Sequence, residues 1–224
     1  MIMPYPEYRP IARITSKGGR NYDICRGYDD EVVGQLVAKS KEEEIVERCP
    51  GDSKSRFASE EAFRIWLKKG RILYPLLDAE SAELSGIIWL GAQKFTGEKY
   101  EDSTHLLIGK LMTDTYAIRT YQNTREHDGQ GKLVSSGIAR PFTRTTVADY
   151  ATMRLSEGPE DWPTFTGVHL ETDGDNERAR YTYQNLSGPA LGFMVVGENP
   201  ERNRVAMALP AVQMSQVLGI NVAA

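Results

Sequence analysis

The segment Val134–Ala139 reads Val-Ser-Ser-Gly-Ile-Ala and opens a predicted helix over Ser135–Arg154. Gly137 and Ala139 are small, so the backbone N–H groups of the first turn can crowd together and point outward. These unpaired N–H groups and the positive end of the helix dipole attract anions. The residue types therefore fit a phosphate-binding helix start, although an ordinary helix start has the same pattern.

A second segment, Gly167–Phe193, combines a strand pattern, an acidic turn, a helix pattern over Asn176–Leu186 and a glycine followed by phenylalanine. Asn176 is a residue type that caps helices. Ala179 and Tyr183 are spaced i, i+4 and would share one helix face. A capped amphipathic helix explains these residues without any chemistry, so a structural role for Tyr183 stays open.

Together the two segments resemble the GNAT superfamily of acyl-CoA-dependent N-acyltransferases. Its pyrophosphate loop reads Gln/Arg-x-x-Gly-x-Gly/Ala, which Gly137 and Ala139 match, whereas Val134 replaces the usual Gln or Arg. Its last βα unit reads Asn-x-x-Ala-x-x-x-Tyr followed by Gly-Phe. The matching residues, with about four extra residues (Ser187–Ala190) inserted before Leu191, are Asn176, Ala179, Tyr183, Gly192 and Phe193.

The resemblance implies an α/β fold with a mixed, mostly antiparallel central sheet flanked by helices, and acyl-CoA in a cleft between splayed strands. It names acetyl-CoA as the acyl donor and Tyr183 as the general acid for the leaving thiolate, because a phenol with a pKa near 10 can protonate it. The cofactor-binding residues that it implies are Ile118, Arg119 and Thr120 (backbone), Asn176, and the helix-start residues Val134, Ser135, Ser136, Gly137, Ile138, Ala139 and Arg140.

The general base is not identifiable from the sequence. His169 and Glu171 alternate along one predicted strand and share a face, and Asp114 lies on another strand. Each is a common residue in a solvated or hydrogen-bonded strand, and some members of the superfamily use ordered water instead.

The remaining pattern predicts one domain over residues 1–224, with an N-terminal hairpin extension at about 1–28 and a C-terminal tail at about 211–224. The sequence predicts a mobile polar loop over Asn123–Lys132 because of its two glycines. The predicted elements, in order, are strands Ala12–Ser16 and Tyr22–Tyr28, a helix from Asp29 to Arg48, a helix from Ser59 to Gly70, strands Ile72–Leu77, Leu84–Leu90 and Thr113–Tyr121, a loop or short helix in Lys94–Lys110, strand Val168–Thr172, and strands Leu191–Gly197 and Arg204–Leu209.

Composition narrows the class of protein. The chain has 40% hydrophobic and 26% charged residues and a net charge of −4, with lysine and arginine scattered, so nucleic acid is not an expected partner. No apolar run is long enough to predict a membrane span. Cys25 and Cys49 are isolated, which is typical of reduced thiols in a cytoplasmic protein, and the three histidines are too spread to predict a metal site.

The expected function is transfer of an acetyl group from acetyl-CoA to a primary amine. A non-catalytic acyl-CoA-binding or regulatory module on the same fold is the alternative, and an interaction domain with accidental motif matches is a third. The class of amine acceptor stays open, as does the oligomeric state, for which a homodimer is one option.

Overall fold

The computed structural model describes residues 7–48, 54–95, 100–101, 105–121, 125–156, 162–184 and 191–218. The strands are β1 (Arg9–Thr15), β2 (Asn21–Arg26), β3 (Arg71–Asp78), β4 (Leu84–Ala92), β5 (Asp114–Thr120), β6 (Arg125–His127), β7 (Leu133–Ser135), β8 (Gly167–Asp173), β9 (Met194–Asn199) and β10 (Arg204–Pro210). The helices are α1 (Asp30–Lys39), α2 (Glu43–Arg48), α3 (Glu60–Leu67), α4 (Leu106–Leu111), α5 (Ala139–Ser156), α6 (Glu177–Gln184) and α7 (Ala211–Leu218), with a 3-10 turn at Pro200–Arg202. None of the described helices is long and apolar enough to cross a membrane.

Eight strands form one sheet in the order β1-β2-β3-β4-β5-β8-β10-β9, and β6 and β7 form a separate two-stranded sheet. The pairs β1–β2, β2–β3, β8–β10 and β9–β10 are antiparallel, whereas β5 and β8 are parallel. The chain therefore has the mixed, mostly antiparallel α/β sheet that the sequence predicts.

The first helices begin where the sequence predicts but do not continue as far. The Asp29 side chain accepts a hydrogen bond from the Val32 N–H at 2.8 Å, which caps α1. The prediction of one helix as far as Arg48 is wrong, because α1 ends at Lys39 and α2 follows separately. Ser40 lies between them with its hydroxyl buried, donating to the carbonyls of Val37 and Phe57 at 2.9 and 3.2 Å.

The described chain divides into two compact units, of which the first comprises Met1–Trp89 and Ile118–Ile138. The predicted hairpin is confirmed: β1 and β2 pair with Ile14 opposite Tyr22, and Gly19 adopts a φ of +88° in the turn. Arg20 forms an ion pair with the buried Asp78 of β3, which holds the end of this hairpin. Cys25, on β2, is a buried free thiol, whereas Cys49 lies outside the described residues.

A second hairpin in this unit corrects the sequence interpretation. Instead of a loop over Asn123–Lys132, β6 and β7 pair, with Glu126 opposite Val134. Asp128 organises the turn, since its side chain accepts from the N–H groups of Gln130 and Lys132 at 2.9 Å each. The pattern was misleading because strands of three residues are too short to show an alternating apolar pattern. Asn123 lies outside the described residues.

The second unit comprises Leu90–Ala117 and Ala139–Ala224. The sequence predicted a loop or a short helix within Lys94–Lys110. α4 is this short helix, and it ends at Leu111, one residue beyond the predicted range. It packs with neighbouring strands in a core cluster formed by Phe95, Leu106, Met112, Val196, Ala206 and Ala208. The unassigned tail forms α7, which contacts α5, β8 and β10 and buries Met214 completely.

A buried ion pair fixes the start of β5 to α5 in this unit. Asp114 accepts from the Arg154 guanidinium at 2.8 and 3.2 Å and from the Tyr150 hydroxyl at 2.5 Å. Burial, followed by the nearby Asp114 charge, raises the pKa of Tyr150 well above its ordinary value. Tyr150 therefore stays protonated and donates to the carboxylate.

We expect Asp114→Ala to lower the free energy of unfolding by about 3–5 kcal/mol, because it leaves the Arg154 charge buried without its carboxylate. Urea denaturation measures this loss. The matched control is Asp23→Ala, which removes the partner of Arg13 in an exposed pair at 2.7 Å and should cost below about 1 kcal/mol. Equal costs for the two variants would contradict a stabilising role for the buried pair.

Candidate functional site

The predicted phosphate-binding segment spans the end of a hairpin and the start of a helix. Val134 and Ser135 belong to β7, residues 136–138 connect, and α5 begins at Ala139, so the prediction that the helix starts at Ser135 is wrong. Gly137 has a φ of +70°, a left-handed conformation that an α-helix does not contain. Ser136 and Ile138 are buried and Gly137 is exposed, so the glycine faces solvent directly before the helix.

Lys17 lies against this segment, and sequence reasoning missed it. The Lys17 N–H donates to the Ser136 carbonyl at 2.9 Å. A Cβ on Gly137 would lie 3.1–3.4 Å from Cε, Cγ and Cδ of Lys17, so the lysine stem runs over the glycine. Lys17 is exposed, and within the described part of the chain its ammonium makes no ion pair. A cation thus accompanies the helix start, although Val134 occupies the position of the usual Gln or Arg.

The two hairpins of the first unit position Lys17. The Tyr22 hydroxyl donates to Glu126 Oε1 at 2.8 Å, which joins β2 to β6. A Cβ on Gly18 would lie 2.6 Å from Glu126 Oε2, so the first turn approaches the second hairpin closely only because residue 18 is glycine. The sequence carries a turn signal here, but nothing in it pairs the two hairpins.

Ile118, Arg119 and Thr120 form the last part of β5 and are all partly exposed. Arg119 donates to the Ile118 carbonyl at 3.0 Å, and its guanidinium lies over the Trp89 ring at 5.3 Å. The backbone of these three residues therefore belongs to a strand, as the sequence predicts.

Earlier in β5, the parallel ladder with β8 is short. It joins Asp114 to Val168 and Thr115 to His169. Tyr116 and Ala117 continue the strand without a partner in that ladder. The described pairs of this parallel ladder thus end at Thr115.

Asn176 caps α6, since its side chain accepts from the Ala179 N–H at 3.0 Å. The structural interpretation of Asn176 is thereby confirmed, and a contact with a cofactor stays a prediction. α6 reaches Gln184, and the predicted helix end at Leu186 and the insertion Ser187–Ala190 lie outside the described residues.

Tyr183 lies in a buried aromatic cluster with Tyr116 and Phe193. Its ring centroid is 5.8 Å from that of Tyr116 and 5.5 Å from that of Phe193, both edge to face. The Tyr183 and Tyr116 hydroxyls are 3.2 Å apart, and Tyr116 is 2.7 Å from the Thr143 hydroxyl of α5. Burial raises the pKa of Tyr116 well above its ordinary value, so this phenol stays protonated. The three hydroxyls thus form a chain of hydrogen bonds.

The three candidate bases have different surroundings. Asp114 is committed to Arg154 and Tyr150, as described above. Glu171 is exposed, whereas His169 is only 4% exposed and packs against Phe95 with ring centroids 5.2 Å apart. Desolvation lowers the pKa of His169 to about 4. The buried histidine is therefore neutral at physiological pH.

Comparison with known proteins identifies the fold. No protein-family model and no curated protein matches the sequence. Three solved structures are similar: an aminoglycoside acetyltransferase, AAC(6')-Ib, in complex with coenzyme A (15% identity, 86% of this chain and 97% of that chain, TM-score 0.54); an uncharacterised protein from Bacillus halodurans (10%, 93% and 94%, 0.53); and the GNAT domain of S. lividans PAT (11%, 89% and 96%, 0.52). The chain thus has the GNAT fold, which confirms the fold expected from the resemblance.

His169 should make the protein sensitive to acid. The unfolded histidine takes up a proton near pH 6.5 but the folded one only near pH 4, so its contribution to stability is complete above about 6.5 and is lost as the pH falls towards 4. The loss is roughly 3 kcal/mol at most. We expect His169→Gln to flatten the unfolding free energy over this range, measured by urea denaturation at a series of pH values. The control is His105→Gln, at an exposed histidine, which should show the same pH dependence as the wild type. If His169→Gln also showed the wild-type pH dependence, His169 would not be the source of the acid sensitivity.

Proposed function

We propose that this protein is an N-acyltransferase of the GNAT superfamily that transfers an acetyl group from acetyl-CoA to a primary amine. The observation that carries the proposal is the position of the Tyr183 hydroxyl. It bonds to Tyr116, the first residue of β5 after the ladder with β8 ends. A phenol hydroxyl is thus bonded to a residue of β5, the strand to which the resemblance assigns the thioester.

The helix-start segment is the proposed site for the cofactor's pyrophosphate. Backbone N–H groups at its turn and the dipole of the 18-residue helix α5 favour an anion. The residues proposed to hold it are Val134, Ser135, Ser136, Gly137, Ile138, Ala139 and Arg140, with Lys17 added from the first hairpin. An ammonium that no carboxylate of the described residues neutralises complements a phosphate as a point charge.

The pantetheine arm and the thioester are assigned to the strand and to the cap of α6. We assign the arm and the thioester carbonyl to the backbone of Ile118, Arg119 and Thr120, and a further contact to Asn176. Bound acetyl-CoA would supply the activated acyl group. AAC(6')-Ib was solved with coenzyme A, which supports this choice of donor.

Tyr183 would act as the general acid. When the neutral amine attacks the thioester, the C–S bond breaks and the sulfur leaves as a thiolate, which accepts the Tyr183 proton. The Tyr183 oxygen can then accept a hydrogen bond from Tyr116, which accepts one from Thr143, and these bonds stabilise the phenolate until it takes up a proton from solvent. The amine loses its proton to water, since none of the three candidate bases is assigned this role.

A non-catalytic acyl-CoA-binding module is the second candidate. Two observations favour it: Val134 replaces the usual polar residue, and the Tyr183 hydroxyl already has a partner in the core. Coenzyme A binding without thiol release in the presence of any amine would identify this module. Absence of coenzyme A binding would leave the GNAT fold with an interaction role.

We expect acetyl-CoA to bind with an affinity of about micromolar, detected by calorimetry and by a thermal shift. Gly137→Val should weaken binding severely, because a branched residue cannot hold a φ of +70° without strain. Lys17→Met should weaken binding about threefold to tenfold by removing one charge. Lys41→Met, at another exposed lysine, is the control and should bind as the wild type does. No heat and no thermal shift at millimolar coenzyme A would refute the donor assignment.

Tyr183→Phe should lower turnover by roughly tenfold to a thousandfold while leaving acetyl-CoA affinity within a few-fold. The ring and its aromatic contacts remain, and loss of the bond to Tyr116 should cost about 1 kcal/mol of stability. Steady-state kinetics with an amine found by screening, together with calorimetry, measures both quantities. Thr152→Val, which changes a hydroxyl on α5 outside this chain of hydroxyls, serves as the control. Unchanged turnover in Tyr183→Phe would assign the tyrosine to the core alone.

A further inference from the structure

Two tryptophans and three arginines gather in the first unit, a set that we call the arginine–tryptophan cluster (Arg56, Trp66, Arg71, Trp89 and Arg119). The two indole rings meet edge to face with centroids 5.3 Å apart. The Arg56 guanidinium lies 5.6 Å from the Trp66 centroid and 5.2 Å from that of Trp89. Arg71 lies 4.7 Å from the Trp66 centroid and Arg119 5.3 Å from that of Trp89. Each guanidinium is thus held against an indole plane.

Arg71 has no compensating carboxylate. It donates to the Trp66 carbonyl at 2.9 Å, and among the described residues it makes no ion pair. Its pKa is lowered, first by burial and then by the Arg56 guanidinium, so its neighbourhood disfavours positive charge. An anion entering this neighbourhood would relieve that cost.

Other arginines of this protein that lie over aromatic rings behave differently. Each of three bonds a carboxylate: Arg20 over Tyr22 with Asp78, Arg64 over Tyr28 with Asp30 at 2.6 Å, and Arg154 over Trp162 with Asp114 at 2.8 Å. The described residues therefore supply a carboxylate to an arginine on a ring in these places, but none of them supplies one to Arg71. A bound anion would supply the counter-charge that these other arginines receive from a carboxylate.

The cluster is also accessible. Trp89 is buried on β4, but Trp66 and the three arginines are only partly buried. Indole planes fix the guanidinium groups, and fixed guanidinium groups bind planar carboxylates and phosphates with two parallel hydrogen bonds. Arg119 connects the cluster to the proposed thioester site, because it lies on β5 within the stretch whose backbone is proposed to hold the thioester.

We propose that the arginine–tryptophan cluster binds an anionic group, a carboxylate or a phosphate, carried by the amine acceptor. This inference rests on the proposed function and narrows its acceptor to an amine that also bears a negative charge. The anion would anchor the acceptor on Arg71 and its neighbours and leave the amine free to reach the thioester. Such a preference is opposite to what the net charge of −4 of the whole chain would favour.

Direct binding is tested first, with inorganic phosphate as the probe and the full chain as the protein. We expect phosphate to raise the melting temperature and to change tryptophan fluorescence in the wild type. The fluorescence change should be lost in Arg71→Gln and in Arg119→Gln. Arg64→Gln is the matched control, since that arginine also lies over a ring but is already paired with Asp30, and it should retain the response. An equal fluorescence response in wild type and both cluster variants would overturn the site.

Acceptor pairs that differ only in charge then test the role of the site. Ethanolamine is compared with O-phosphoethanolamine, and tryptamine with tryptophan, at saturating acetyl-CoA. We expect at least a tenfold higher kcat/KM for the anionic members, and a more than tenfold loss of that preference in Arg71→Gln with the acetyl-CoA KM unchanged. A preference for the uncharged members would overturn the inference.

The phosphates of coenzyme A are the other anionic groups that the cluster would bind. A further comparison distinguishes them from an anionic group on the acceptor. If Arg71→Gln weakens coenzyme A tenfold but leaves dephospho-coenzyme A unchanged, the cluster serves the donor and the acceptor assignment is wrong. The proposed function fails separately, by absence of coenzyme A binding in the wild type. Circular dichroism establishes that each variant is folded, and Arg56→Gln, at the arginine that lies over both indole rings, provides the same test if Arg71→Gln does not fold.

Discussion

The ion pair of Asp114 and Arg154 is the constraint on which the arrangement of the second unit depends. Two opposite charges are buried where β5 begins, and Tyr150 completes the carboxylate's hydrogen bonds. Such a pair adds little to the free energy of unfolding when it is compared with well-packed apolar residues. Removing one partner is nevertheless costly, so few other arrangements of β5 and α5 are stable. The same residue, Asp114, pairs with Val168 at the start of the ladder. The ion pair therefore holds the first residue of this ladder in place.

Local signals in the sequence predicted most elements of the fold. Caps such as Asp29 and Ser59, and short apolar runs bounded by turns, depend on neighbouring residues and can be read directly. The β6–β7 hairpin and the late start of α5 were missed for a common reason. Both depend on the pairing of two strands of only three residues each, which are too short to show an alternating apolar pattern. The left-handed Gly137 then separates strand from helix, and a glycine's φ is not visible in a sequence.

The candidate site was predictable only in part. The roles of Tyr183 and Asn176 were predicted from the resemblance to a family motif and stay predictions, while the structure shows Asn176 as a helix cap and Tyr183 in a buried aromatic cluster. Lys17 and the arginine–tryptophan cluster were not found, since their residues come together from distant parts of the chain. The net charge of the sequence did not predict the arginine–tryptophan cluster either, because a chain with net charge −4 can still concentrate positive charge locally. Whether an arginine is neutralised depends on its neighbours in space.

Each of the two units is discontinuous, and this affects how the chain emerges from the ribosome. The first unit needs Ile118–Ile138 to complete it, so it cannot close when Trp89 has been synthesised. β3 and β4, which are largely apolar and buried in the final structure, both precede Ile118–Ile138 in the chain. About fifty further residues must be translated after Trp89 before this unit can be completed, a few seconds at typical rates. During synthesis the chain thus passes through a stage in which chaperones that bind extended apolar segments would find a substrate.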